Sequence, residues 1–155
     1  FIALDKLVIK KGELVWNVFI DIYPINANGN LIDASLIGAV AALTTAVFPE
    51  LKDDKVVYGS LTSKKLPLED MPIMLTFYKI NNVFILDPVL EEEETSTVRI
   101  SVGLTIKGNS AFIHALQKSG EDVLTEAEIF EILEKAVSEG RKYQEEIEKY
   151  LKKKK

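Results

Sequence analysis

The chain contains no cysteine, which excludes disulfides and thiolate metal sites and is compatible with a reducing, intracellular setting. With a single histidine it also lacks His/Cys metal spacing and any nucleophile–base motif. No Gly-rich phosphate loop is present, and no cofactor is expected. No apolar run reaches the roughly 18 residues that a membrane span requires. The first residues do not follow the charged-then-apolar order of a signal peptide. Positive charge is in short supply: 19 Lys and Arg against 24 Asp and Glu give a formal charge of −5. That balance gives no sign of a dedicated nucleic-acid surface in this chain alone. What remains is ordinary for a globular protein, 47% apolar and 28% charged over 155 residues, enough for one average domain or two small ones. The chain begins at Phe1 and enters an apolar stretch almost at once, so a start inside a fold is expected: a processed, split or truncated product.

Periodicity divides the chain into strands and helices. Leu7-Val8-Ile9 is a short strand, closed by Lys10-Lys11-Gly12. Leu14 to Tyr23 reads as a strand with one deeply buried face made of Leu14, Trp16, Val18, Ile20 and Ile22. Pro24 stops it, and Asn26 to Asn30 form a turn. A helix is expected from Asp33, as N-cap, to Val47, apolar on nearly every side and therefore buried on several. Pro49 ends it, Glu50 to Asp54 read as a polar loop, and Val56-Val57-Tyr58 as a short strand. Ser60 to Asp70 reads as a linker. Strands follow at Pro72–Ile80, Val83–Asp87, Val98–Lys107 and Ser110–Gln117, with a fifth, very short signal at Val89-Leu90. Asn81-Asn82 and Gly108-Asn109 mark hairpin turns. A long helix opens on the capping box Thr125-Glu126-Ala127-Glu128 and carries one apolar stripe from Ile129 to Leu151. The pattern is α+β in two lobes.

Few clusters carry chemistry. Asp87 and Glu91 to Glu94 close the strand Val83–Leu86 and could offer oxygens to a hard cation such as Mg²⁺; the simpler reading is a solvated acidic loop. The turn Gly29-Asn30-Leu31-Ile32-Asp33 opens a helix, where free N–H groups favour anions, but the Asp33 carboxylate takes those donors and repels phosphate. His114, alone in a strand, reads as structural. Lys64-Lys65 and the Lys152–Lys155 tail could touch a phosphate backbone, or simply keep the surface charged. Trp16 and Tyr23 read as core residues.

Three segments together resemble the RNase PH superfamily. Asp21 to Leu43 is similar to its strand, turn and inner helix; Leu86-Asp87-Pro88-Val89-Leu90-Glu91-Glu92-Glu93 to its Asp-Pro-x-x-Glu-Glu-Glu segment; Gln117-Lys118-Ser119-Gly120 and the last helix to its C-terminal end. The resemblance is strongest to the non-catalytic RNase PH-like subunit of the archaeal exosome ring, and to the C-terminal half of such chains. It implies an RNase PH-like fold: residues 1–66 as the C-terminal part of a first, ribosomal-S5-domain-2-like domain, and 67–155 as a second domain, a β-meander with a long C-terminal helix. The uncovered strand Leu14–Tyr23 and the all-round apolar helix would then need another segment over them, supplied by a separate N-terminal half chain or lost from the N-terminal side.

Active members use inorganic phosphate to remove nucleoside diphosphates from the 3′ end of RNA. They hold that phosphate through a Gly-Thr-Arg-Thr pattern at the start of the inner helix. Here Leu31 falls on the first Thr, Ile32 on the Arg and Asp33 on the second Thr, so the guanidinium fork is missing. The family's catalytic Asp falls at Thr97, and Ser96, Val98 and Arg99 do not replace it. The resemblance therefore implies an inactive, RNA-channelling ring subunit with no catalytic, cofactor or metal residues. Its implied partners are a catalytic RNase PH-like subunit (three heterodimers making a ring of six), RNA and RNA-binding cap proteins, in the cytoplasm and away from membranes. The alternatives are an active phosphate-dependent 3′-5′ exoribonuclease and an unrelated α+β binding module.

Overall fold

Short β-branched runs separated by Lys10-Lys11-Gly12 shape the start of the chain. In the computed structural model, which describes residues 1–153, a 3-10 turn (Leu4–Leu7) leads into a two-stranded antiparallel ribbon of β1 (Val8–Lys10) and β2 (Leu14–Val15). From Trp16 to Gly29 the backbone belongs to no helix or strand. Helix α1 (Leu31–Thr45) follows and lies against the later sheet; its Val40 and Leu43 are buried, whereas Leu31 and Ile37 are each 39% exposed. Next comes a long hairpin of β3 (Val47–Lys52) and β4 (Lys55–Lys65). Its turn, Asp53-Asp54, has φ of 49° and 62°, the two-residue geometry that matches strand twist. Pro49 sits within β3, which pairs only with β4, so its missing N–H costs no ladder bond on the open edge.

The second lobe is a four-stranded antiparallel sheet. Its strands are β5 (Pro72–Ile80), β6 (Val83–Leu86), β7 (Val98–Lys107) and β8 (Ser110–Gly120), in the order β6-β5-β7-β8. A short helix, α2 (Leu90–Thr95), connects β6 to β7, and α3 (Glu126–Lys153) crosses one face of the sheet. Asn81 and Asn82 both adopt positive φ (47° and 64°), as their turn chemistry predicts. The core lies under α3: Ile73, Leu75 and Phe77 from β5, Ile100, Val102, Leu104 and Ile106 from β7, and Ile132 and Ala136 from the helix. Each of these side chains other than Ala136 contributes about 1.5–3 kcal/mol by leaving water. Gly140 lets α3 approach closely, because a Cβ there would lie 2.8 Å from Ile73 Cδ1. Thr125 caps the helix as expected: Glu128 Oε2 accepts from Thr125 N at 2.8 Å, and Glu128 N donates to Thr125 Oγ1 at 3.3 Å. Glu128 also pairs with Lys79 of β5 at 2.5 Å, tying the cap to the sheet.

Several sequence expectations are corrected. The strand Leu14–Tyr23 shrinks to Leu14–Val15, and its supposed buried face is largely open: Ile20 and Ile22 are about half exposed, and Tyr23, expected in the core, is 83% exposed. The cause is physical: apolar alternation needs a neighbouring strand, and none among the described residues pairs with 16–23. Trp16 does pack, with its ring 5.4 Å from that of buried Phe48. The expected linker at Ser60 begins as strand, since β4 runs to Lys65. Its polar residues lie on a ribbon with little burial, so their composition imitates a linker. Glu50 to Lys52 likewise belong to β3, and Leu90 opens α2 instead of ending a strand. No helix among the described residues is long and apolar enough to cross a membrane.

The Lys79–Glu128 pair makes a pH prediction. Lys79 and the Thr125 bonds push the Glu128 carboxyl down from its usual 4.5 to about 2. A depressed carboxylate stabilises the fold above its unfolded pKa, and that stabilisation is lost as pH falls through the folded value. Urea midpoints of the protein and of Glu128→Gln should therefore differ at pH 6 and draw together between pH 4.5 and 2.

Candidate functional site

The first turn of α1, the strand β5 and the acidic segment after β6 meet at one point. Asn30, at the cap position of α1, takes a left-handed backbone (φ 47°) that Asn tolerates better than most residues. Its side-chain amide donates to Asp33 Oδ2 at 3.1 Å and to Asp87 Oδ1 at 2.9 Å. Its backbone N–H donates to Glu93 Oε2 at 3.0 Å. Asp33 does not cap the helix as expected. It sits on the third helical residue and turns onto β5, accepting from Thr76 N at 2.9 Å and Thr76 Oγ1 at 2.6 Å. Thr76 has one hydroxyl proton, so with that proton on Asp33 the 2.9 Å contact to Ser101 is donated from Ser101. On the far side of the hub, Tyr78 donates to Glu93 Oε1 at 2.6 Å.

The electrostatics follow from burial. Asp33 is 4% exposed, and desolvation raises its pKa; the bonds from Thr76 and Asn30 oppose the rise, and the neighbouring Asp87 charge adds to it. Tyr78 is pushed up to about 12 by burial and by its bond to Glu93. With both amide protons of Asn30 held by carboxylates, its Oδ1 is left buried without a partner.

The two clusters singled out in the sequence are thus brought together by hydrogen bonds. Among the described residues no group of acidic or histidine side chains is arranged to hold a metal ion. The glutamates divide by role. Glu92 caps α2 by accepting from Val89 N at 3.0 Å, Glu93 joins the hub, and Glu91 and Glu94 are exposed. Asp87, with φ 58°, turns the chain at the end of β6. Gly29, with φ +88°, passes so close to that segment that a Cβ would lie 2.4 Å from Pro88 O. Thr97 precedes β7 and donates its N–H to Lys79 O at 3.0 Å. His114 lies elsewhere, on β8, with Nε2 2.8 Å from Thr105 Oγ1. Lys64 stands over the Phe48 ring at 5.2 Å, and the Lys152–Lys155 tail lies outside the residues whose side chains are described. Sequence reasoning missed Thr76, Tyr78 and Ser101, and placed Asn30 only in the turn before the helix. The available signal was Thr76, a polar residue inside the apolar run Ile73 to Phe77, which must find a partner when buried.

Residues 70–139 match the model of domain 2 of the 3′ exoribonuclease family, and residues 3–49 that of domain 1. The chain belongs to the RNase PH family. Its relatives include the exosome complex component Rrp42 of Methanothermobacter thermautotrophicus, 39% identical over 97% of this chain and 55% of that protein. The protein of the same name from Methanocella arvoryzae is 37% identical over 95% of this chain and 54% of its own length. An archaeal exosome core structure superposes with a TM-score of 0.81 at 33% identity, covering 95% of this chain and 56% of that one. A structure of the Archaeoglobus fulgidus exosome with RNA bound to the active site gives 0.80 at 34% identity, covering 94% and 54%. The chain spans about half the length of the relatives it matches. Its fold is the α+β, RNase PH-like one, and family membership removes the reading as an unrelated binding module.

Two substitutions test the hub of this RNase PH-family chain. Thr76→Val removes the hydroxyl held by a buried carboxylate and should lower unfolding stability by about 2 kcal/mol in urea titrations. Gly29→Ala forces a side chain into left-handed backbone and into the Pro88 carbonyl, and should cost at least about 2 kcal/mol by the same measurement.

Proposed function

We propose that this chain is a non-catalytic structural and RNA-channelling subunit of an exosome ring that degrades RNA from its 3′ end. It pairs with a catalytic RNase PH-like subunit, and three such pairs close the ring. The observation that carries this reading is Asp33: a buried carboxylate fastened to Thr76 and Asn30 at the start of α1. In active members of the family that position faces inorganic phosphate. An anion held there by two hydrogen bonds from Thr76 and one from Asn30 both occupies the donors and repels a second anion. Ile32 offers no guanidinium, and Thr97 offers no acid. The names of the Rrp42 relatives and the exosome core structures support the same reading.

No catalytic, cofactor or metal residue is assigned to the chain. We place residues 1–66 in the C-terminal part of the first domain and 67–155 in the second; the two family matches, 3–49 and 70–139, lie on either side of that division. RNA and RNA-binding cap proteins are the further partners, and the cytoplasm the setting. An inactive copy is useful in such a ring because interfaces must be completed on both sides of every catalytic subunit.

Incubation with 3′-labelled RNA and inorganic phosphate tests the proposal. The chain alone should release no nucleoside diphosphate, and mixing with a catalytic RNase PH-like subunit should give a ring of six by native mass. Release of nucleoside diphosphates by the chain alone establishes the active-enzyme reading instead. In the assembled complex, Asp87→Asn should leave the rate of RNA degradation unchanged, because Asp87 serves Asn30 and not RNA.

A further inference from the structure

The hairpin of β3 and β4 departs from a regular ladder beside Pro49. Pro49 pairs with Leu61 and the next residue, Glu50, with Val57, so Tyr58, Gly59 and Ser60 face no residue of β3. A bulge of this kind interrupts the ladder and re-aims a side chain. It is fixed on both flanks: Ser60 Oγ donates to Glu50 Oε2 at 2.6 Å, and Thr62 Oγ1 donates to Phe48 O at 2.8 Å. Gly59 has φ of +81° with open space where a Cβ would stand, so glycine serves the backbone bend alone. The bulge leaves the Tyr58 ring 94% exposed, with Val56 and Leu61 also exposed near it in the strand. Among the described residues no hydrogen bond, ion pair or ring contact engages the Tyr58 side chain.

The charges around that ring select what it meets. Strand β4 carries Lys55, Lys64 and Lys65 and no carboxylate, in a chain of net charge −5. Lys52 stands opposite Lys55 across the hairpin. Two of the hairpin's carboxylates are engaged, Glu50 by Ser60 and Asp54 by Lys10. Lys52, Lys55 and Lys65 join no ion pair among the described residues. An open aromatic face with free ammonium groups near it suits the bases and phosphates of a single nucleic-acid strand. A duplex keeps its bases stacked and offers no base face to the ring. A protein strand is disfavoured on the same edge, because lysines and a bulge are the features that prevent edge pairing. We propose that β4 is a contact track for single-stranded RNA, with Tyr58 stacking on a base and Lys52 and Lys55 holding phosphates beside it. Stacking and phosphate contact of this kind are indifferent to base sequence, as a channelling surface requires. The inference rests on the RNA-channelling role proposed for the chain and adds the place of contact.

The test titrates the chain into fluorescein-labelled oligoadenylate of about ten nucleotides and reads binding by anisotropy over a range of salt. Tyr58→Ala should weaken binding about tenfold, and Tyr58→Phe, which keeps the ring, should not. Lys55→Gln should lower the salt slope by about 0.7, the share of one phosphate contact on a single strand. Ultraviolet cross-linking should attach the RNA at Tyr58 itself. Because Tyr58 is exposed, Tyr58→Ala should leave the thermal midpoint unaltered, so the loss of binding is not a loss of fold. Absence of binding by the unsubstituted chain overturns the inference, as does an affinity unchanged by Tyr58→Ala. So does an equal loss in Tyr58→Phe, or equally tight binding of a duplex of the same length. A Tyr58-dependent complex with a catalytic RNase PH-like subunit, formed without RNA, assigns the bulge to a protein contact and overturns it too. The titration adds no phosphate and requires no ring, so its failure is separate from failure of the ring proposal.

Discussion

The contact on which the rest of the structure depends is the one between Asp33 and Thr76. It joins the first lobe to the second through a carboxylate that is almost wholly out of water. Breaking it would leave a buried carboxyl with only the Asn30 amide bond, a cost above the worth of an average hydrogen bond. Asn30 extends the contact to Asp87 and Glu93, and Glu93 returns it to β5 through Tyr78. Helix α1, β5 and the acidic segment are therefore held in one arrangement by polar bonds whose directions leave little freedom. The apolar core under α3 supplies more free energy, but it acts within the second lobe alone and says nothing about where α1 must sit.

Under the proposed function, the same bonds let the frame of an active site persist without its chemistry. The acidic segment keeps its place because Glu92 caps α2 and Glu93 holds Asn30, tasks that need no substrate. Under the proposed function, exchanging a phosphate-binding group for Asp33 turns a substrate site into an internal fastening. The α1 terminus stays in register with β5.

Much of this was legible in the chain itself. The meander, its Asn81-Asn82 turn, the Thr125 cap and the α3 stripe follow from local rules, whereas the polar face read into β7 does not: Ser101 and Thr105 are buried. The hub was legible only in part. Asp33 and the glutamates stood out as charges, yet Asn30 and Thr76 are matched across 43 or more positions of chain, a distance that no local pattern encodes. Leu14 to Tyr23 failed for the opposite reason. Its residues carry the strand pattern faithfully, and the described structure contains no neighbour to complete it. Ser60 to Lys65 failed because an exposed ribbon has no buried face to impose alternation.

The tight turns have a consequence for the order of folding. Asn81-Asn82 and Gly108-Asn109 bring β5 to β6 and β7 to β8 through loops of minimal length, so little loop entropy opposes those pairings. Only the β5–β7 ladder must wait for α2 to close. The second lobe can thus mature from its own local contacts and present Thr76 as a finished template. Helix α1 then has a surface to meet whose strand order those short turns already define.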